Sequence, residues 1–125
     1  MEGMKRADWM GATISVLASL VFIMSATMKL IGGADVAQGM EHLQLAGPMT
    51  LPLAALELSC VAIYLVPRTA VLGAVLLTGY LGGAILTHWR VGDAFVTHIV
   101  LGLLVWLGIY LREPRLKLLL PVRTR

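Results

Sequence analysis

One carboxylate, Glu57, lies near the middle of an apolar run, Met49–Val66, with the sequence MTLPLAALELSCVAIYLV. A bilayer core of about 30 Å is crossed by roughly 20 residues of helix, so this run is a candidate membrane span. A charged side chain at the centre of such a span costs at least ~2.5–3.5 kcal/mol of insertion free energy, and it is stable only against protein, water or a partner. Glu57 is therefore the first candidate for a functional residue, and we expect it to face the interior of the protein.

Three basic side chains lie where they can reach this carboxylate. Lys29 comes near the end of the first apolar run, and His88 and His98 flank the connection between the last two runs. With a helix rise of 1.5 Å per residue, His98 lies roughly 7 Å from the middle of the bundle, and Lys29 and His88 roughly 13–14 Å. His98 is therefore the expected partner of Glu57, with Lys29 and His88 in direct or water-mediated reach. Such a group can donate hydrogen bonds and move protons at membrane depth.

Two further charged residues, Arg90 and Asp93, lie in the connection HWRVGDA at the same end of the predicted bundle. A simpler interpretation of the basic residues stays open, because lysine and arginine at the ends of spans often extend to the interface as anchors. Glu57 would then only fix the register of the helices. His88 and His98 lack an H-x-x-x-H or C-x-x-C-H pattern, so the sequence predicts no metal site.

The composition is that of a membrane protein. Of 125 residues, 58% are hydrophobic and only 14% are charged, whereas a soluble domain carries about 25% charged residues. The single cysteine, Cys60, excludes an intramolecular disulfide or a thiol redox pair. The basic residues are not interleaved with aromatic side chains on one face, so we expect no nucleic-acid partner.

The apolar runs predict an all-α, polytopic membrane protein: one membrane domain forming an antiparallel four-helix bundle. The predicted spans are residues 9–31, 49–66, 70–87 and 95–111, followed by a basic interfacial tail over residues 112–125. Residues 36–45 can hold a short surface helix, and Pro67-Arg68-Thr69 is a tight turn. Polar and small residues of the first span fall on one stripe, which marks the face turned towards other helices; its members are Ser15, Ala18, Phe22, Ser25 and Lys29.

The third span carries a G-x-x-x-G pair, Gly79 and Gly83. Small residues let helices approach closely in lipid, so the favoured expectation is tight packing inside the bundle. A homodimer seam through the same two glycines is the alternative.

The distribution of positive charge predicts the orientation. One side of the bundle holds eight lysine and arginine residues: Lys5, Arg6, Arg68, Arg112, Arg115, Lys117, Arg123 and Arg125. The other side holds two, Lys29 and Arg90. The positive-inside rule then places both termini in the cytoplasm, in a cell (inner) membrane.

Several stretches together resemble one known family. They are SATMKL at 25–30, the segment around Glu57, GYLGGAILTHWRVGD at 79–93, and LGIYLREP at 107–114. The chain resembles the DoxX-like family of small four-span membrane proteins, over roughly residues 10–121. The string G-G-A-x-x-x-H-x-R-x-G-D, which begins at Gly82 and includes His88, Arg90 and Asp93, is the most specific part of the resemblance. Tyr80, two residues before it, is also a candidate site residue.

The resemblance implies a four-helix bundle and a link to redox chemistry, because some relatives are subunits of quinone-linked oxidoreductases. A quinone is then the expected ligand, a redox enzyme subunit the expected partner, and no cofactor is intrinsic to the chain. A small proton-coupled transporter and a structural or chaperone-like scaffold remain alternatives. Whether the chain is itself an enzyme is left open by the sequence.

Overall fold

The computed structural model describes residues 6–45 and 47–124 and is built of helices and short turns. The helices are α1 (Arg6–Ile31), α2 (Ala34–His42), α3 (Thr50–Leu65), α4 (Ala70–Trp89) and α5 (Val96–Arg112), with 3-10 turns at Gly47–Met49, Pro67–Thr69 and Pro114–Leu118. The predicted fold class, a helical membrane bundle, is confirmed. Lys5 and Arg125, which the orientation count includes, lie outside the described residues.

By length and composition, three helices can cross a membrane. They are α1, α3 together with the 3-10 turn before it, and α4 together with the 3-10 turn before it. The fourth apolar helix, α5, is shorter, with 17 residues. At 1.5 Å per residue it is about 26 Å long, slightly less than the usual hydrocarbon core of about 30 Å. The fold is therefore that of a small multi-pass membrane protein.

Glycine and proline set the helix ends. Gly32 and Gly33 follow α1 with φ values of 74° and 103°, and Gly92 follows α4 with φ 82°. These are left-handed conformations that glycine adopts without strain. Val66, before Pro67, is extended, the conformation that a following proline favours, and it ends α3. These breaks give the chain its up-and-down course.

The four long helices form a ring in which every neighbouring pair is antiparallel. α1 packs against α3 and α5, and α4 packs against the same two helices, so α1 and α4 are diagonal to each other. One end of the bundle carries α2 and the connection after α4, and we call it the α2 end. The opposite end carries the Pro67–Thr69 turn, the start of α1 and the end of α5, and we call it the turn end.

The outward faces are apolar, and the inward faces are small or aromatic. Leucines on four helices are at least half exposed, such as Leu17, Leu51, Leu72 and Leu103. Such faces are stable only in lipid. The interior contains alanines with almost no exposure and a few large side chains; the fully buried set includes Ala18, Phe22, Ala54, Val61, Tyr64, Ala74, Leu77, Val105 and Ile109.

The closest helix contacts are made by glycines other than the G-x-x-x-G pair. A Cβ on Gly73 would collide with the backbone of Tyr64, which locks α4 against α3 near the turn end. A Cβ on Gly79 or Gly83 would meet no atom within 4 Å. The prediction that these two glycines pack tightly inside the bundle is therefore wrong. The physical reason is that the sides of α4 that carry Gly79 and Gly83 meet no neighbouring helix, whereas Gly73 lies against Tyr64.

The two kinds of glycine give the first testable prediction. Gly73→Ala places a methyl group against rigid backbone, and overpacking of this kind costs about 1–3 kcal/mol. Gly82→Ala, in the same helix with open space around it, removes a weak helix former and raises stability by up to about 1 kcal/mol. Thermal unfolding in a mild detergent measures both. Equal melting temperatures for the two variants would contradict the close contact at Gly73.

Candidate functional site

Glu57 lies inside the bundle and is held by two side chains of α1. Its Oε1 accepts a hydrogen bond from Lys29 Nζ at 3.2 Å and one from Ser25 Oγ at 3.3 Å. Lys29 Nζ also donates to Ser25 Oγ at 2.8 Å, which closes a triangle of three polar groups. The Glu57 side chain is only 3% exposed and that of Lys29 20%. This buried ion pair joins α1 to α3 halfway along the bundle.

The sequence placed Glu57 in the interior correctly but favoured the wrong partner. His98 is not among its hydrogen-bond partners, and Lys29 takes that place. Side chains on a helix lean towards its N-terminus, and lysine is long, so Lys29 reaches down from the end of α1 to the depth of Glu57. Ser25, one turn before Lys29, was recognised only as part of the inward stripe. Its i, i+4 spacing to Lys29 is the signal that identifies it.

A cavity of about 540 Å³ adjoins this pair on its α2 side. Glu57, Lys29 and Ser25 line it on one side, and Tyr80, His88 and His98 line it on the other. The rest of its wall is largely apolar; it includes Val21, Phe22, Leu53, Leu56, Leu81 and Leu101. The fold therefore brings five of the seven predicted site residues to one chamber.

The two histidines of the chamber are in ring contact. Their ring centroids are 4.4 Å apart, at an interplanar angle of 42°. His88 Nδ1 lies 2.7 Å from the Ala84 carbonyl oxygen. A carbonyl only accepts, so His88 Nδ1 carries the hydrogen, and Nε2 of the neutral ring is an acceptor. His98 Nδ1 is buried without a hydrogen-bond partner. The pair therefore has unused hydrogen-bonding capacity, as expected of a site that binds a polar group.

Tyr80 lies between the apolar and polar parts of the chamber. Its ring packs edge-on against Phe22, with centroids 6.4 Å apart. It is also close enough to Glu57 for an electrostatic interaction between the hydroxyl and the carboxylate. Tyr80 thus presents a donor beside the acceptor Glu57, and α4 faces the ion pair of α1 and α3 across the bundle.

Arg90 and Asp93, the other two predicted site residues, do not line the cavity. Asp93 pairs with His42 Nε2, which lies 2.9 Å from each carboxylate oxygen. Arg90 donates to Gln44 Oε1 at 3.2 Å and to the carbonyl oxygen of Leu43. Both residues therefore hold α2 and the segment after it. His42 had no assigned role in the sequence, because its partner is 51 residues away.

The segment fixed in this way covers the chamber. Its apolar side chains Met40, Leu43, Leu45 and Met49 line the cavity from the α2 end. Met40 is 6% exposed, although α2 is otherwise mostly exposed. We call residues 40–45 and 47–49 the cover.

The turn end is closed by a directed chain of hydrogen bonds. Tyr64 OH donates to the Val105 carbonyl at 2.7 Å, so its oxygen must accept from Ser15 Oγ at 2.9 Å. Ser15 Oγ in turn accepts from Arg112 Nη2 at 3.1 Å. A Cβ on Gly108 would strike Ser15 Oγ, so this network needs glycine there. No sequence pattern indicates this network beyond the inward positions of Ser15 and Tyr64.

Metal binding has no support in the described part of the chain. Within residues 6–45 and 47–124, no group of three or more histidine, cysteine, aspartate or glutamate side chains is arranged to hold a metal ion. The chamber's polar groups instead suit hydrogen bonding and proton transfer, because they comprise an acid, an amine, a phenol and two imidazoles.

Fold and chamber define a small helical membrane protein with a polar site inside its bundle. The sequence model of the DoxX-like family matches residues 13–110, and this chain belongs to that family. The match contains Lys29, Glu57, Tyr80, His88 and His98. No curated protein and no solved structure matches the chain.

The ion pair leads to a prediction about stability. Lys29→Met leaves the buried Glu57 without its cation, and breaking a buried pair in this way costs about 3–5 kcal/mol. The double variant Lys29→Met/Glu57→Leu removes both charges, and we expect it to recover most of that loss. Melting in detergent of the two single variants and the double variant gives the coupling free energy between the residues. Additive effects would show that the two side chains do not interact.

The cover gives a prediction about dynamics. Asp93→Asn removes the ion pair to His42, and partly exposed pairs of this kind contribute about 0–1 kcal/mol. We expect faster amide hydrogen exchange over residues 36–45, with little change in global melting. Glu41→Gln, which removes an exposed carboxylate from α2, is the matched control. Unchanged exchange in Asp93→Asn would mean that other contacts hold the cover.

Proposed function

We propose that this protein binds a lipid-soluble molecule with a hydrogen-bonding head group, a quinone or quinol, as a subunit of a redox-linked membrane assembly. The observation that carries the proposal is the chamber itself: an apolar cavity whose deep end is the Glu57–Lys29 pair. Ligand sites typically combine an apolar wall with a few polar groups that fix orientation.

The chamber's chemistry suits a quinone head group. Quinone oxygens accept hydrogen bonds, and Lys29 and Tyr80 carry donors beside the cavity. Reduction of a quinone takes up two electrons and two protons. The side chains of this chain can hold and pass protons, with Glu57 as the central acid–base group. The electrons come from a partner redox subunit.

The setting of Glu57 favours this function over cation transport. A carboxylate that binds and releases a cationic substrate must be free to exchange partners, whereas Glu57 is 3% exposed and paired with Lys29. A scaffold role would require only the ion pair. It would not account for His98 Nδ1, which is buried without a hydrogen-bond partner. We further propose that the protein resides in the cell (inner) membrane, with the turn end cytoplasmic and the α2 end on the outer side, since lysine and arginine are more numerous at the turn end.

The test is ligand-induced stabilisation of the purified protein in a mild detergent. The probes are a decyl-substituted benzoquinone and, at matched chain length, a lipophilic phosphonium cation. A ligand present at 100 times its Kd raises the free energy of unfolding by about 2.7 kcal/mol. We expect the quinone to raise the melting temperature of the wild type and to have less effect on Glu57→Gln, which preserves shape but not acid–base chemistry.

The matched control is Glu113→Gln, which removes a carboxylate that pairs with Arg115 outside the chamber. This variant should respond to the quinone like the wild type. Stabilisation by the cation alone would favour transport, and no response to either probe would favour the scaffold.

A further inference from the structure

The chamber is closed along the bundle axis at both ends. At the α2 end it is closed by the cover, whose side chains Met40, Leu43 and Leu45 line the cavity. Contacts of His42 with Asp93 and of Arg90 with Leu43 hold this segment. A polar or charged solute from the water phase would have to displace it.

The turn end is closed more tightly. The hydrogen-bonded chain from Arg112 through Ser15 and Tyr64 fills the space between α1, α3 and α5. Above it, Phe22, Val61 and Leu77 are almost completely buried. Entry along the axis from this end is therefore blocked by a packed core.

The seam between α3 and α4 differs along its length. Near the connecting turn, Gly73 lies against the Tyr64 backbone. Gly79 and Gly83, roughly 9 and 15 Å further along α4, are exposed and have no atom within 4 Å of a built Cβ. Both of these glycines also line the cavity. A residue that is exposed, touches no neighbour and yet lines the chamber lies at the edge of an opening.

The facing helix has matching residues. Leu53 and Leu56 of α3 line the same cavity, and Leu56 is 50% exposed. The two helices therefore diverge from their turn towards the α2 end. Because the outer faces of both helices are apolar, the gap between them opens towards the hydrocarbon of a membrane.

We propose that the chamber is entered sideways from the bilayer, through a portal between α3 and α4 framed by Leu53, Leu56, Gly79 and Gly83. The substrate class is an amphiphile with one flexible apolar chain and a hydrogen-bonding head group. The head group of the amphiphile reaches the Glu57–Lys29 pair. Its apolar chain lies between the two leucines and the two glycines, in a slot that exists because glycine has no side chain. The identity of the head group rests on the proposed function, whereas the route rests on the geometry of the seam.

The route is tested by filling the slot. In liposomes, an amphiphile with an amide head group, a decyl chain and a diazirine on the carbon next to the head group reports which residues the head group reaches, because the photoproduct attaches to nearby side chains. We expect wild-type protein to be labelled on the peptide that contains Glu57. Gly83→Leu and the double variant Gly79→Leu/Gly83→Leu should lose this label and keep labelling on lipid-facing residues such as Leu103.

Gly82→Leu is the matched control. Gly82 lies in the same helix, is exposed and has no neighbour within 4 Å, but it does not line the cavity. The same side chain added there should leave the Glu57 label unchanged. All three leucine variants are expected to fold, since each adds its side chain into open space.

Two labelling outcomes and one cross-linking outcome would overturn the portal. One is equal labelling of the Glu57 peptide in Gly83→Leu and Gly82→Leu, and the other is no label on that peptide in the wild type. Efficient disulfide cross-linking of Gly79→Cys chains in liposomes would also overturn it, because a homodimer seam would then cover the opening.

Competition separates the portal from the function. A decyl-substituted benzoquinone without the diazirine should reduce the Glu57 label in the wild type. If the glycine variants lose the label but the quinone does not compete, the portal stands and the quinone function fails. If the quinone competes and stabilises the protein while Gly83→Leu is labelled normally, the function stands and the route fails.

Discussion

The structure depends on holding one carboxylate inside an apolar bundle. Glu57 is almost completely buried, and its charge is compensated by Lys29 and by the Ser25 hydroxyl. Lipid offers no hydrogen bonds to a displaced charge, so separating this pair within the membrane is costly. The pair therefore fixes the depth of α1 relative to α3. It also fixes where the polar end of the chamber lies, because the other polar side chains are arranged around it.

The two halves of the bundle serve different purposes. The turn end is closed by small residues in close contact and by a hydrogen-bond chain that runs from Arg112 through Ser15 and Tyr64 to the Val105 carbonyl. The cavity lies towards the α2 end, away from these contacts. Packing in lipid relies on such close contacts, since apolar burial contributes little to association between helices there. The contacts that hold the helices together and the residues that line the cavity therefore lie at different depths along the membrane normal.

The connections complete the site rather than simply join the spans. Two spans bring Arg90 and Asp93 to the α2 end, where they hold residues 42–44 and so position the cover. The charged residues Arg90 and Asp93 therefore contact the segment that lines one end of the chamber, while Tyr80 and His88 of α4 line the chamber wall. The stretch 79–93 contributes to both the chamber wall and the contacts with the cover, because the end of α4 lies beside the cavity.

The sequence by itself determined the membrane class, the helices and the inward position of Glu57. These follow from local rules: the length of an apolar run, the positions of glycine and proline, and the cost of a charge in lipid. Helix periodicity also placed Ser15, Ala18 and Phe22 on the buried stripe of α1. Family membership was likewise readable from short motifs and is confirmed over residues 13–110.

Only the tertiary structure decided which side chains meet. Depth along the helices predicted His98 as the hydrogen-bond partner of Glu57. The partner is instead Lys29, because its long side chain reaches from the end of α1 to Glu57. The pairing of His42 with Asp93 joins residues far apart in sequence, which no local pattern encodes. A G-x-x-x-G motif allows two helices to approach closely, but it does not show that a helix lies against it. The packing of α4 settles that question, because Gly73 lies against the Tyr64 backbone, whereas Gly79 and Gly83 meet no neighbouring helix and line the cavity.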